Sequence, residues 1–364
     1  MVSHTDVIEI SKSTDRPELR LAVVTIFLFL LFLAYLQVGL GFDLLRSDVL
    51  SYWNESFNWK TPFGNWWVPG YSLTIALVRA VTLDLLSPVA VMVLISGAFY
   101  VIGVRTAYSL AKELKIGSAF ETALLFAAYP FVGLTYSVYP IADSMATALL
   151  LLSALCFQRQ RWTSFAIYAG LAMLTHKATW FFIPPLLAVA FIRHKESRLP
   201  VLLSQIPLLA WIIAGAFYHG DALWFARWSV TNLVVSKRML PVFDGLVGPL
   251  LSRNAAKIIK GLVVLATFLS AVAVFIYSLR FRFWFGICIA FSIISMIAFI
   301  NQYEIWAAVR WSKILLIPLT YILLCRASVF RSSRISSPVF LLLFLIGVTS
   351  NVLFGYYLTR LLSP

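Results

Sequence analysis

Long unbroken runs of apolar residues, separated by short polar breaks, organise this chain. The runs are about 20 residues each and do not alternate, so the expected element is a helix, not a barrel strand. At about 1.5 Å per residue, such a helix crosses a hydrocarbon core of about 30 Å. The pattern predicts about eleven spans, with ends good to about four residues: 21–41, 88–109, 119–137, 141–157, 163–176, 179–193, 200–218, 261–279, 284–301, 312–326 and 337–358. Residues 42–71, FDLLRSDVLSYWNESFNWKTPFGNWWVPGY, are polar and aromatic, and make a larger loop than a simple connection needs. Residues 72–86 are amphipathic, carry Arg79 and Asp84, and read as a helix lying in the membrane interface. The stretch 218–260 mixes aromatic and basic residues and reads as a second long outer loop, partly re-entrant or interfacial. The expected fold is an all-α, polytopic transmembrane bundle. A tail over 1–20 precedes one membrane domain over 21–364, with interfacial helices in a first outer loop over 42–87 and the long outer loop over 218–260.

Composition narrows the class. Of 364 residues, 61% are hydrophobic and only 12% charged, against about 25% charged in soluble domains. The mean hydropathy is +0.89. Most apolar residues must therefore face lipid or other spans. The net charge of +14 does not form a nucleic-acid patch, because the basic residues are spread through short inter-span loops. That is the positive-inside pattern. Lys112 and Lys115, Arg159 and Arg161, and Arg280 and Arg282 mark cytoplasmic loops, so the N-terminus is expected inside and the loop 42–71 outside. The first run is too long for a cleaved signal and is expected to stay as a span. Cys156, Cys288 and Cys325 lie in or beside apolar runs and read as buried thiols without a disulfide framework.

The same orientation gathers the unusual polar residues outside. Asp48, Tyr52 and Glu55 are spaced four and three apart and share one face of a helix. A carboxylate beside tryptophans and lipid is expected to have a raised pKa, which suits a general base; N-capping or anchoring at the interface is the plainer role. Asp143 follows a proline at the start of the fourth run, as a second acid or as that helix's cap, and Glu55 is the other candidate for a second acid. Lys177 and Arg310 stand at outer span ends, placed to neutralise a phosphate or to snorkel toward headgroups. His176 has no second histidine at metal-ligand spacing, so it is a phosphate or hydrogen-bond contact rather than part of a zinc site. Tyr52, Trp66, Trp67, Tyr139, Tyr303 and Glu304 are expected to line a substrate, although an aromatic belt is the plainer role for the tryptophans. No cofactor is expected, and a divalent metal is left open.

In order and placement these residues resemble the GT-C superfamily of membrane glycosyltransferases. The likeness lies in Asp48 and Tyr52 after the first span, then Pro69-Gly70-Tyr71 before an interfacial helix. It continues with Tyr129-Pro130, Asp143, Thr175-His176-Lys177, and a late Arg310 before Pro318. It is strongest over 20–195. Val-Pro-Gly-Tyr stands where that family often has Pro-x-Pro or Tyr-Pro, and His176-Lys177 where an arginine is common. The resemblance implies a polyprenyl-phosphate-linked sugar as donor and a lipid, glycan or protein acceptor, with transfer on the outer face and inversion. It assigns Asp48 as base and Lys177 and Arg310 to the phosphate. A bacterial inner membrane is the preferred location. A lipid or polysaccharide transporter (a flippase) and a polysaccharide polymerase remain as alternatives.

Overall fold

The computed structural model describes residues 17–45, 48–57, 68–130, 133–221, 224, 243–299, 305–326 and 335–362. Every regular element among them is helical. α7 (Asp143–Gln158) forms the centre. Its sequence is apolar on all sides, and a helix of that kind has no solvent face. From Asp143 to Phe157 only Leu152 escapes full burial. α7 packs between α4 (Pro88–Glu113) and α8 (Trp162–Thr175), and also touches α9 (Thr179–Arg193). α4 starts on a capped turn, where the Ser87 hydroxyl accepts from the Ala90 amide and Pro88 fills the first helical position.

Among the described residues, five helical stretches are long and apolar enough to cross a membrane: Pro17–Gly39, Pro88–Glu113, Lys195–His219, Lys257–Arg280 and Ser337–Tyr357. The first joins α1 (Pro17–Ala34) to a π-helical turn. The third contains α10 (Arg198–His219). α7, α8, α9 and Trp284–Phe299 have only 14 to 16 residues, or about 21–24 Å.

The three-residue connection 159–161 turns the chain from α7 into α8, and 176–178 turns it from α8 into α9. The start of α7, the end of α8 and the start of α9 therefore share one end of the bundle. The first outer loop contributes α2 (Asp48–Glu55) and α3 (Gly70–Val81), which pack on each other. Arg79 does not sit on a free polar face, as the amphipathic pattern implied. It is buried, lies 3.4 Å from the Phe57 ring centroid and 4.9 Å from that of Trp53, donates to Ser56 and pairs with Asp84 at 2.8 Å. A long cation with an aromatic face beneath it is cheaper to bury than one left bare.

The expected span 119–137 is not one helix. α5 (Ala119–Ala127) stops before Pro130 and Gly133, and α6 (Thr135–Val138) resumes for a single turn. Proline removes a donor and disfavours helix at the residue before it. The second long loop also holds structure: α11 (Asp244–Leu250) packs on α12 (Ala255–Arg280), which begins six residues ahead of the expected span. Trp224 is buried, and its indole N–H donates to the Ile212 carbonyl at 2.9 Å, folding the loop back onto α10. α13 (Trp284–Phe299), α14 (Ile305–Ser312), α15 (Leu316–Tyr321) and α16 (Ser337–Leu362) complete the chain, with a 3₁₀ turn at Lys313–Leu315.

Candidate functional site

Asp143 stands at the first position of α7, 1% exposed. Capping would bring its carboxylate onto a backbone amide of the first turn, and it makes no such bond. Instead Oδ1 lies 2.9 Å from Nε of Arg310 on α14. The N–H is not aligned along that contact, so the two meet as charges rather than through a directed hydrogen bond. The Arg310 guanidinium carbon lies 4.8 Å from the Tyr136 ring centroid. Asp143 Oδ2 is buried and meets no hydrogen-bond donor among the described residues.

His176 closes α8 and enters the same cluster. Its ring centroid is 5.2 Å from that of buried Trp311, one residue beyond Arg310. It feels the charges of Asp143, Arg310 and Lys177. Nδ1 accepts the Ala178 amide at 3.0 Å, so the ring proton sits on Nε2. Dense packing pushes the imidazole down to about 4, with Asp143 opposing and Arg310 and Lys177 reinforcing. His176 is therefore neutral at physiological pH and offers a donor rather than a base. Burial likewise brings the Lys177 ammonium down to about 8.

The first outer loop reaches this cluster through α3. A side chain at Gly70 would put its Cβ 2.6 Å from the Leu174 carbonyl oxygen, so glycine is what lets α3 start against the end of α8. Next to it, buried Tyr71 donates to the Pro140 carbonyl at 3.1 Å and lies within electrostatic reach of Asp143. Tyr52 of α2 meets Tyr71 edge to face, with centroids 4.9 Å apart. Glu55 accepts a hydrogen bond from Ser72 at 2.8 Å. Asp48 begins α2 one turn before Tyr52; its side chain, like Trp66, Trp67, Tyr303 and Glu304, lies outside the described residues. Tyr139 is buried against Phe42, on the same side of α7's start.

The structure thus brings together Asp143, His176, Lys177 and Arg310 from three distant segments. Lys313 belongs with them and was not singled out from the sequence. It is 3% exposed, lies within reach of both Asp143 and Arg310, and forms no ion pair or hydrogen bond among the described residues. The available signal was its spacing: Arg310 and Lys313 are three apart, one face of a helical turn. Beside them an apolar cavity of about 270 Å³ runs between α12, the break after α5, and the segment from Val309 to Leu319. Tyr129 and Pro130 form one wall, and the Tyr129 hydroxyl meets that of Ser312 at 3.0 Å. No group of three or more His, Cys, Asp or Glu able to hold a metal occurs among the described residues. No family model, curated protein or solved structure matches the chain.

Proposed function

We propose that the chain is a membrane glycosyltransferase of the GT-C kind. It would cross the bilayer eleven times, with the Asp143 end facing outward, the N-terminus cytoplasmic and a bacterial inner membrane as its setting. The single observation that carries this reading is the convergence of Asp143, His176, Lys177, Arg310 and Lys313 at one end of the bundle, next to an apolar cavity. Charges in such a place are expensive unless paired or used. Cations beside an apolar channel suit an amphiphilic anion, a lipid monophosphate whose isoprenoid chain lies between Tyr129 and Val263.

In the proposed step an acceptor hydroxyl oxygen attacks the anomeric carbon of the lipid-linked sugar. The carbon–oxygen bond to phosphate breaks, and its electron pair leaves with the lipid phosphate. Asp48 takes the hydroxyl proton. Arg310, Lys177 and Lys313 stabilise charge growing on the leaving phosphate, and His176 adds a neutral Nε2–H. Asp143 Oδ2, which meets no donor among the described residues, would orient the acceptor hydroxyl.

Incubating the reconstituted protein with a polyprenyl-phosphate sugar and an acceptor extract tests the reading. Glycosylated acceptor and free lipid phosphate should appear together. Asp48→Asn should lower turnover by about 10²–10⁴-fold while donor binding persists. Asp43→Asn and Glu55→Gln should cost much less. Movement of the lipid-linked sugar across the bilayer without transfer would sink the enzyme and establish a transporter.

A further inference from the structure

The opposite end of the same helices holds a second cavity, of about 380 Å³. It opens where α7 and α9 finish and α13 begins. Arg193, Arg282, His194, Gln158 and Gln160 line it over an aromatic floor that includes Trp284. No carboxylate is among the described lining residues. Of the acids at this end, Glu113 of α4 is taken by Arg159 at 2.8 Å, and Glu196, two residues past His194, is exposed and not among the described lining residues. Its chemistry is thus one-sided: two permanent cations, two carboxamides and an imidazole.

Local structure explains how these groups face one space. Gln160 and Arg282 each occupy the left-handed residue just past a helix, with φ of 55° and 54°. In both turns an amide returns to a carbonyl five residues back, from Arg161 to Cys156 and from Phe283 to Ser278. Arg193 lies over Trp284, its guanidinium carbon 3.7 Å from the ring centroid. Stacking uses the face of the guanidinium and leaves its N–H donors at the edge. The His194 ring is fixed against Trp162, with centroids 4.4 Å apart. Neither Arg193 nor Arg282 forms an ion pair or side-chain hydrogen bond among the described residues, so their donor sets are uncommitted.

We propose that this cavity binds a phosphate group, gripped by Arg193 and Arg282 and oriented by the amides of Gln158 and Gln160. Planar guanidinium forks match phosphate oxygens in pairs. The phosphate belongs either to an anionic phospholipid headgroup or to a soluble phosphate. Basic pockets between membrane helices on the cytoplasmic side are suited to the first. The site is separate from the Asp143 cluster, lying a full length of α7 away, and does not depend on the transfer reaction.

The full chain in nanodiscs of zwitterionic lipid provides the test, read by thermal shift and by native mass spectrometry. One arm adds phosphatidylglycerol to the disc, and the other adds inorganic phosphate to the buffer. Saturable binding in the lipid arm alone identifies a headgroup site; binding in the phosphate arm alone identifies a soluble ligand. Arg193→Gln and Arg282→Gln should each weaken binding by about tenfold. Both side chains are solvent-facing, so folding should survive. Arg280→Gln, a basic residue at the same end but outside the cavity, should leave binding unchanged. No binding in either arm, or undiminished binding by the Arg193→Gln/Arg282→Gln double variant, would overturn the proposal.

Discussion

Two ion pairs bracket α7, and their lengths are nearly equal: 2.9 Å between Arg310 and Asp143 at its start, 2.8 Å between Arg159 and Glu113 just past its end. Their surroundings differ. Asp143 and Arg310 are 2% and 19% exposed, whereas Arg159 and Glu113 are 38% and 37% exposed. Distance alone would rank them together; burial separates them. At the open end water screens the charges, and the pair contributes little. At the closed end the same contact keeps two charges tolerable in a place that would otherwise expel them. The comparison teaches that a short contact is informative here only where water is scarce.

The largest expected effect is at the buried pair. Arg310→Ala takes the ion-pair partner from the buried Asp143 carboxylate and should cost about 3–5 kcal/mol of stability. Asp143→Asn combined with Arg310→Met should recover most of that loss in thermal unfolding without recovering sugar transfer. A double variant that is both stable and active would reduce the pair to scaffold and erase the contrast between the two ends.

The next effect is a pH dependence at Lys177. Burial lowers its ammonium to about 8, so the charge is present below that pH and is lost above it. Donor binding through Lys177 should therefore weaken by up to about tenfold per pH unit on the alkaline side. Lys177→Arg keeps its charge throughout and should flatten that limb. An unchanged profile in the arginine variant would remove Lys177 from the donor site.

The smallest effect belongs to the open end. Glu113→Gln should shift stability by about 1 kcal/mol or less, with transfer unaltered. A loss as large as that of Arg310→Ala would show that exposure misjudges this pair.

Much of the helical layout was legible because apolar runs of this length leave few options. The helices at Pro88–Glu113, Asp143–Gln158 and Thr179–Arg193 fall where the runs do. The break after α5 was also written in the chain, as Pro130 and Gly133, but the surrounding apolar run masked it. Asp143, His176, Lys177 and Arg310 stood out as charged or polar residues at span ends. Who meets whom did not. Arg310 was expected with Lys177 at a phosphate, but its 2.9 Å contact with Asp143 was not foreseen. Helical periodicity reports which residues share a face of one element, but not which elements become neighbours. Lys313 was passed over because it opens an apolar run and looked like a boundary. Asp48 keeps its candidacy from its position on α2 alone.

Asn351 carries a consequence for how the chain is assembled. It lies deep in α16, fully buried. Its side-chain oxygen accepts the amides of Leu134 and Thr135 at 3.0 and 3.2 Å, and its nitrogen donates to the Tyr129 carbonyl at 2.8 Å. One amide thus supplies backbone partners on both sides of the break between α5 and α6. Backbone groups without partners cannot rest in lipid. The third apolar segment emerges well before the side chain that satisfies it, which lies 217 residues after Leu134. Until then the segment must borrow other partners, from water or from the insertion machinery. The ring of Tyr136, which sits beneath Arg310, rides on that same segment. The charged cluster is therefore finished only when α16 docks, so a chain cut before α16 would be inserted but incomplete.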